Sequence, residues 1–314
     1  MHLSAWRVAA VCVLQMAGWG LDAQAQRESA PPEDLAARLE WLQRQGAEQL
    51  GQKPVYLLST ETPLRLEGEV LALIDHPVQR VRAALTQASA WCDILILHLN
   101  VKYCRVGGAN PSGSGPSQLA VGLGRKFDEP LSSVHWLNFS FRVIPPGTGL
   151  GAPGPAVELL AAEGPLDTQD IRIAVHTAAA SPDRTLLQLR YTYAQGPAAR
   201  WALQLYLATV GHHKVGFSLV PEVTERPQTA STRQPVTGVR GLLERNTVRY
   251  YLAVDAYLDA LRLPREQQLE RRLLDWFAAT ERHPRQLREL DWETYVQMKT
   301  LEVRRQQTEP PPRR

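Results

Sequence analysis

From Leu97 to Ala194 the chain alternates apolar and polar residues with a period of two, and this limits the fold more than any other feature. Side chains on an extended strand point alternately to two faces. Leu137, Phe139, Phe141 and Val143 therefore share one face, and Asn138, Ser140 and Arg142 the other. Leu187, Leu189, Tyr191 and Tyr193 separate in the same way from Gln188, Arg190 and Thr192. Strands are expected at 97–106, 118–126, 134–144, 156–163, 170–179 and 185–194. Turn-forming runs divide them, among them Gly107-Gly108-Ala109-Asn110-Pro111, Pro145-Pro146-Gly147 and Ser181-Pro182-Asp183. The pattern predicts an antiparallel meander with one wet face and one covered face.

The covering elements are expected on either side of the meander. Pro31-Pro32-Glu33-Asp34 opens a helical pattern with Leu35, Leu39 and Leu42 on one face, within an arm spanning 26–52. Extended structure begins after Gly51-Gln52-Lys53-Pro54, and Gly68–Ile74 reads as a strand that Asp75-His76-Pro77 stops. Pro77 suits the first turn of a helix, where its missing N–H costs nothing. Val78, Val81, Leu85 and Ala88 then form one helical face up to Trp91. After the meander come a short helix at 198–210, a last strand at 214–220 and a Pro- and Thr-rich connector at 221–235. A strong helix at 241–261 offers Val248, Tyr251, Leu252 and Leu258 to the sheet, and Pro264 ends it. Two helices rich in Arg and Glu follow at 265–281 and 290–306, within a 263–307 extension, and 308–314 reads as a disordered tail. No internal repeat is visible.

At the start, Arg7 precedes an uncharged apolar run from Val8 to Leu21, and Asp22-Ala23-Gln24-Ala25 puts alanine at both small-residue positions of a cleavage site. Residues 1–25 are expected to be a secretory signal removed after Ala25. The run is too short and too interrupted, at Gln15, to be a membrane anchor. Val11 before Cys12 is bulky where lipidation requires a small residue. About 290 residues then remain, enough for one large domain or two small ones. The formal charge of +3 is spread along interleaved Arg and Glu, so a nucleic-acid partner is not expected. Arginine outweighs lysine and Ala, Leu and Pro are abundant, which fits a GC-rich bacterial coding sequence. The address expected from these features is the periplasm or cell exterior.

Strand, helix, antiparallel meander and long covering helix, in that order, resemble the helix-grip fold of the START and polyketide-cyclase-like superfamily over about residues 55–262. Leu73-Ile74-Asp75-His76-Pro77 leading from strand to helix, and Trp91-Cys92-Asp93-Ile94-Leu95 leading out of it, add to the resemblance. Arg245-Asn246-Thr247-Val248-Arg249-Tyr250-Tyr251-Leu252 is similar to segments of secreted proteobacterial proteins. The resemblance implies an α+β domain over 53–262, with a curved antiparallel sheet wrapped around the long C-terminal helix. It also implies an apolar cavity between them for lipids, sterols, polyketides or other hydrophobic molecules. The N-terminal arm and C-terminal helices are additions to that plan, able to plug the cavity or to dock a protein partner.

Candidate chemistry is sparse. Gly149-Leu150-Gly151-Ala152-Pro153-Gly154 matches G-x-G-x-x-G, yet a dinucleotide loop must open a helix, and prolines surround this one. Gly113-Ser114-Gly115 reads as a hairpin loop, and Asn138-Phe139-Ser140 as a chance sequon within a strand. His212 and His213, adjacent on extended backbone, point apart, and His98, His135 and His176 have no metal-site spacing, so neither a metal nor a cofactor is expected. No G-x-S-x-G or S-x-x-K signals acyl transfer. Phe139, Phe141, Leu189, Tyr191 and Tyr193 on the strand faces, opposite Tyr251, are candidates for lining a ligand cavity, with plain core packing the alternative. Trp136 joins the aromatic set.

Cys92 and Cys104 are the cysteines left after processing and, in an oxidising compartment, are expected to pair. A straight strand from Leu97 would carry Cys104 too far away, since bonded cysteines need Cα atoms within about 7 Å. The Ile94-Leu95-Ile96-Leu97 run is ambiguous between helix and strand and leaves room for a chain that curls back. A reactive thiol pair or two buried reduced cysteines remain as alternatives. Non-covalent carriage of a hydrophobic molecule is the leading functional expectation, ahead of an interaction protein with a filled core and, third, a cyclase- or hydrolase-type enzyme.

Overall fold

The computed structural model describes residues 37–38, 40–41, 49–50, 53–107, 116–145, 156–196, 200–201, 213–221 and 233–311. The expected leader, both glycine motifs, most of the helix expected at 198–210 and most of the connector lie outside the described residues.

The strands are β1 (Gln49–Leu50), β2 (Lys53–Glu61), β3 (Arg65–Ile74), β4 (Val101–Val106), β5 (Ser117–Leu123), β6 (His135–Ile144), β7 (Ala156–Glu163), β8 (Thr168–Ser181) and β9 (Arg184–Gln195). They form one antiparallel sheet in the order β1-β2-β3-β9-β8-β7-β6-β5-β4. The first long hairpin thus pairs with the last strand of the meander, and β4 lies at the far edge. Between β3 and β4 come α1 (Val78–Leu85) and α2 (Ala88–Leu95), and after a small ladder of β10 (Leu219–Pro221) and β11 (Arg233–Pro235) come α3 (Gly238–Ala260), α4 (Arg265–Glu281) and α5 (Trp292–Thr308).

Alternation sorts the two faces as expected. Leu137, Phe139 and Phe141 of β6, Ile171, Ile173 and Val175 of β8, and Leu187 and Leu189 of β9 all belong to one core with α3. That helix seats tightly at Gly68 of β3, where a Cβ would overlap the Thr247 hydroxyl. Its C-terminal end is pinned to the β3–α1 turn by His76 Nε2 and Asp259 Oδ1, 2.8 Å apart, and by Arg262 donating to the Asp75 carbonyl at 2.8 Å. On the opposite face, Trp41 packs with Leu71, Leu73 and Leu186, and Arg38 and Arg190 both reach Glu69.

Several expected elements differ, the first two of them outside the meander. The helix expected from 78 to Trp91 is two helices, because Gln87 takes extended backbone, φ −92° and ψ 121°, between α1 and α2. The strand expected at 214–220 is reduced to Leu219–Pro221, paired only with β11. The backbone before it is drawn to α3 instead: Phe217 N and Ser218 N donate to the buried Glu244 carboxylate at 2.7 and 2.9 Å.

The segment after α2 settles the cysteine geometry. Ile96 N donates to Cys92 O, Leu97 N to Ile94 O and His98 N to Leu95 O, so the chain keeps turning and β4 starts only at Val101. β4 then returns along α2, and Cys92 and Cys104 are bonded with Cα atoms 5.0 Å apart. A closed loop of this length contributes on the order of 3 kcal/mol by restricting the unfolded chain. The Cys92→Ser/Cys104→Ser protein is expected to lose about that much in urea unfolding, and thiol titration of the denatured, unreduced wild type is expected to find both cysteines blocked.

The C-terminal helices are part of the fold. Trp276 Nε1 of α4 donates to the Arg249 carbonyl of α3 at 3.1 Å. α5 covers the exposed edge of β4, where Tyr103 donates to the Glu309 carbonyl at 2.7 Å and Gln306 accepts from Cys104 N at 3.3 Å. Among the described residues no helix is long and apolar enough to cross a membrane.

Candidate functional site

An apolar cavity of about 150 Å³ lies between the concave sheet face and α3. Val121 of β5 with Leu137 and Phe139 of β6 form one wall, and Ile171 and Ile173 of β8 with Tyr191 and Tyr193 of β9 the other. Leu242 and Tyr250 of α3 line it from the helix side. Pro165, Leu166 and Thr168 of the β7–β8 turn line it as well, and Leu95, Val101 and Leu123 complete the lining. Leu166 is 62% exposed and has φ 55°, as Asp167 has φ 58°, a left-handed conformation that a bulky residue adopts only when its surroundings impose it.

The expected lining residues divide. Phe139, Tyr191 and Tyr193 line the cavity. Phe141 and Leu189 are buried on the same sheet face but outside the lining, in the packed core. Tyr251 is also buried in the core, and its hydroxyl feels Asp255, Asp259 and Asp75, which places it toward the β3–α1 turn rather than the cavity. The helix residue at the cavity is its neighbour Tyr250. Leu242 and Tyr250 recur eight residues apart, two turns along one helix face, and that spacing is the sequence signal that would have selected them.

The cavity's polar edge is neutral. Burial, then the neighbouring Tyr250 and Tyr193, pushes the Tyr191 hydroxyl well above its ordinary range. Burial raises Tyr193 too, and raises Tyr250 to about 12 against the opposing charge of Arg249. The Tyr191 ring meets those of Tyr250 and Tyr193 at centroid distances of 5.1 and 5.6 Å. Behind Tyr250 the His98 ring stacks at 5.1 Å, and burial, with Arg249 and Lys299, holds it well below the usual imidazole range. These groups offer uncharged hydrogen-bonding tips on an apolar wall, and no charge at neutral pH. His135 is exposed at the start of β6, His176 lies on the opposite sheet face near Glu69, and His98 sits under α3, so the structure does not bring the three together.

No family model matches the chain, and no curated protein matches it. Solved structures do. A truncated norcoclaurine synthase from Thalictrum flavum aligns with 12% identity and a TM-score of 0.31 over 52% of this chain and 89% of its own. A START superfamily protein from Mycobacterium smegmatis aligns with 12% identity and a TM-score of 0.29 over 43% and 79%. The Zhui aromatase/cyclase from Streptomyces sp. R1128 aligns with 11% identity and a TM-score of 0.28 over 42% and 70%. The strand order, the seating of the long helix across the concave face and the cavity between them give this chain a helix-grip fold.

Proposed function

We propose that the mature chain binds and carries a hydrophobic, lipid-like molecule in the periplasm without covalent chemistry. The carrying observation is the apolar cavity between sheet and helix, with neutral tyrosines on its wall and an exposed Leu166 in its lining. Its volume of about 150 Å³ suits one ring or a short acyl segment, whereas pockets for whole drug-sized molecules run to about 300–1,000 Å³. A longer ligand leaves its remainder outside the cavity. The proposed address rests on Arg7, the Val8–Leu21 run and the Ala23 and Ala25 spacing, and the Cys92–Cys104 bond suits an oxidising compartment. N-terminal sequencing of the exported protein is expected to begin at Gln26, and a start at Met1 would remove that support.

Binding is tested with a solvatochromic hydrophobic probe. Ile173→Phe places extra volume in the cavity and is expected to abolish the wild-type signal while leaving the fold intact. Because the tyrosines titrate above the working range and His98 below it, affinity for an uncharged probe is expected to stay flat between about pH 6 and 9. A sharp change within that window would place an ionisable group in the site. One observation favours a second role in protein docking: Leu274 of α4 and Trp292 and Leu301 of α5 are large, apolar and 39–46% exposed. Equal probe signals from wild type and Ile173→Phe would favour that role over carriage.

A further inference from the structure

Beside the cavity residue Tyr250, two chain segments bring cations onto a single carboxylate and a third brings one close to it. Arg249 of α3, itself 1% exposed, places a guanidinium nitrogen 2.8 Å from Glu289 Oε1 in the α4–α5 loop. Lys126, in the loop after β5, places Nζ 2.8 Å from that same oxygen. Lys214 donates to the Arg288 carbonyl, one residue away, and Arg245 donates to the Val215 carbonyl beside Lys214 at 3.4 Å. Arg288 itself turns to Glu281. Setting Arg245 aside, Lys126, Lys214 and Arg249 are three cations to one carboxylate among the described residues, in a partly dry setting that strengthens every charge interaction.

We propose that Lys126, Lys214 and Arg249 form an anion site for a compact oxyanion of phosphate or carboxylate type, taken free or as the head of an amphiphile. Access is from the side of Lys126, whose side chain is 34% exposed. Composition argues that these lysines are not incidental. The chain has 35 Lys plus Arg, and lysine stands only at 53, 102, 126, 214 and 299. Lys102 and Lys299 are committed to the buried Glu302. Lys126, which shares Glu289 with Arg249, and Lys214, held by the Arg288 carbonyl, are compact, rotatable point charges, the form in which lysine binds phosphate, whereas arginine presents a fixed planar fork. Mutual repulsion agrees with this arrangement: burial, with Arg249 and Arg245, holds both lysines below their usual range against the opposing pull of Glu289. Tyr250, next to Arg249, also lines the cavity, so head and tail sites would meet at that residue.

The test is a calorimetric and NMR titration with sodium phosphate against sodium chloride at matched ionic strength, repeated with octyl phosphate and octyl glucoside. Saturable phosphate binding is expected, weakened roughly tenfold in Lys126→Gln and again in Lys214→Gln, the size of one charge-assisted hydrogen bond. Octyl phosphate binding more tightly than both phosphate and octyl glucoside identifies the head of an amphiphile, and equal binding of the two phosphates identifies a free anion. Inorganic phosphate has no tail, so that arm holds whether or not the cavity takes a ligand. Phosphate and octyl phosphate behaving like chloride, or both glutamine variants binding as wild type does, would overturn the proposal.

Discussion

Replacing Glu302 with glutamine is expected to lower the unfolding free energy by roughly 3–5 kcal/mol, the loss seen when one partner of a buried ion pair is removed. Glu302 of α5, Lys102 of β4 and Lys299 of α5 are all completely buried. Lys102 lies 2.9 Å from one carboxylate oxygen and Lys299 2.7 Å from the other. Lys299 also donates to the carbonyls of His98 and Val101 at 2.7 and 2.9 Å, and Lys102 reaches the Met298 sulfur at 3.2 Å. Without the carboxylate two ammonium groups share a dry space with no counter-charge. Replacing all three with apolar residues of similar size is expected to recover much of the loss, since only an unpaired buried charge carries the penalty. A Glu302→Gln protein unfolding at the wild-type urea midpoint would mean that α5 does not hold to β4 through this group.

The same group has a pH signature. Burial, opposed by Glu302 but joined by Lys102, brings Lys299 down to about 8. Its folded value lies below its unfolded value, so between about pH 8 and 10 the unfolded chain binds more protons and stability rises with pH. Lys126 and Lys214 share this direction, and the raised tyrosines oppose it at the upper end. The readout is therefore the difference between wild type and Lys299→Met, which is expected to show the smaller rise.

Truncating Trp91 to alanine is expected to cost about 3–5 kcal/mol, as emptying a core of a large aromatic does. Trp91 is 1% exposed on α2, and its indole N–H donates to the Leu85 carbonyl at 2.8 Å across the α1–α2 break. The change removes packing against the sheet and the bond that joins the two helices. Trp91→Phe keeps most of the volume but not the donor, and is expected to lose less. An unchanged denaturation midpoint in Trp91→Ala would contradict the packing of α2 on the core.

Much of this architecture is legible in the sequence because a half-covered strand must alternate. β7 is observed at the expected 156–163, and β6, β8 and β9 begin and end within a residue or two of the expected bounds. Where both sides of an element are covered, the pattern loses that information. The run from Ile94 to Leu97 is apolar throughout and His98 and Leu99 after it are buried too, so nothing in it marks where turning ends and β4 begins. α3 is buried on nearly every side, including Glu244, Arg245 and Arg249, so no single stripe tells Tyr250 from Tyr251. Charged residues read as surface by hydropathy, yet Lys102, Lys299 and Glu302 are interior because they have one another, a pairing nearly 200 residues apart that local pattern cannot reveal.

The cavity's occupancy is the centre of the account, and native mass spectrometry of the gently purified protein reads it directly. The prediction is a wild-type mass above that of the disulfide-bonded polypeptide alone, as measured on the denatured, unreduced protein, the excess passing into an organic extract as a hydrophobic compound, and an Ile173→Phe protein at the bare mass. Wild type and Ile173→Phe both at the bare mass, with nothing in the extract and no uptake from added membrane lipid, would contradict it.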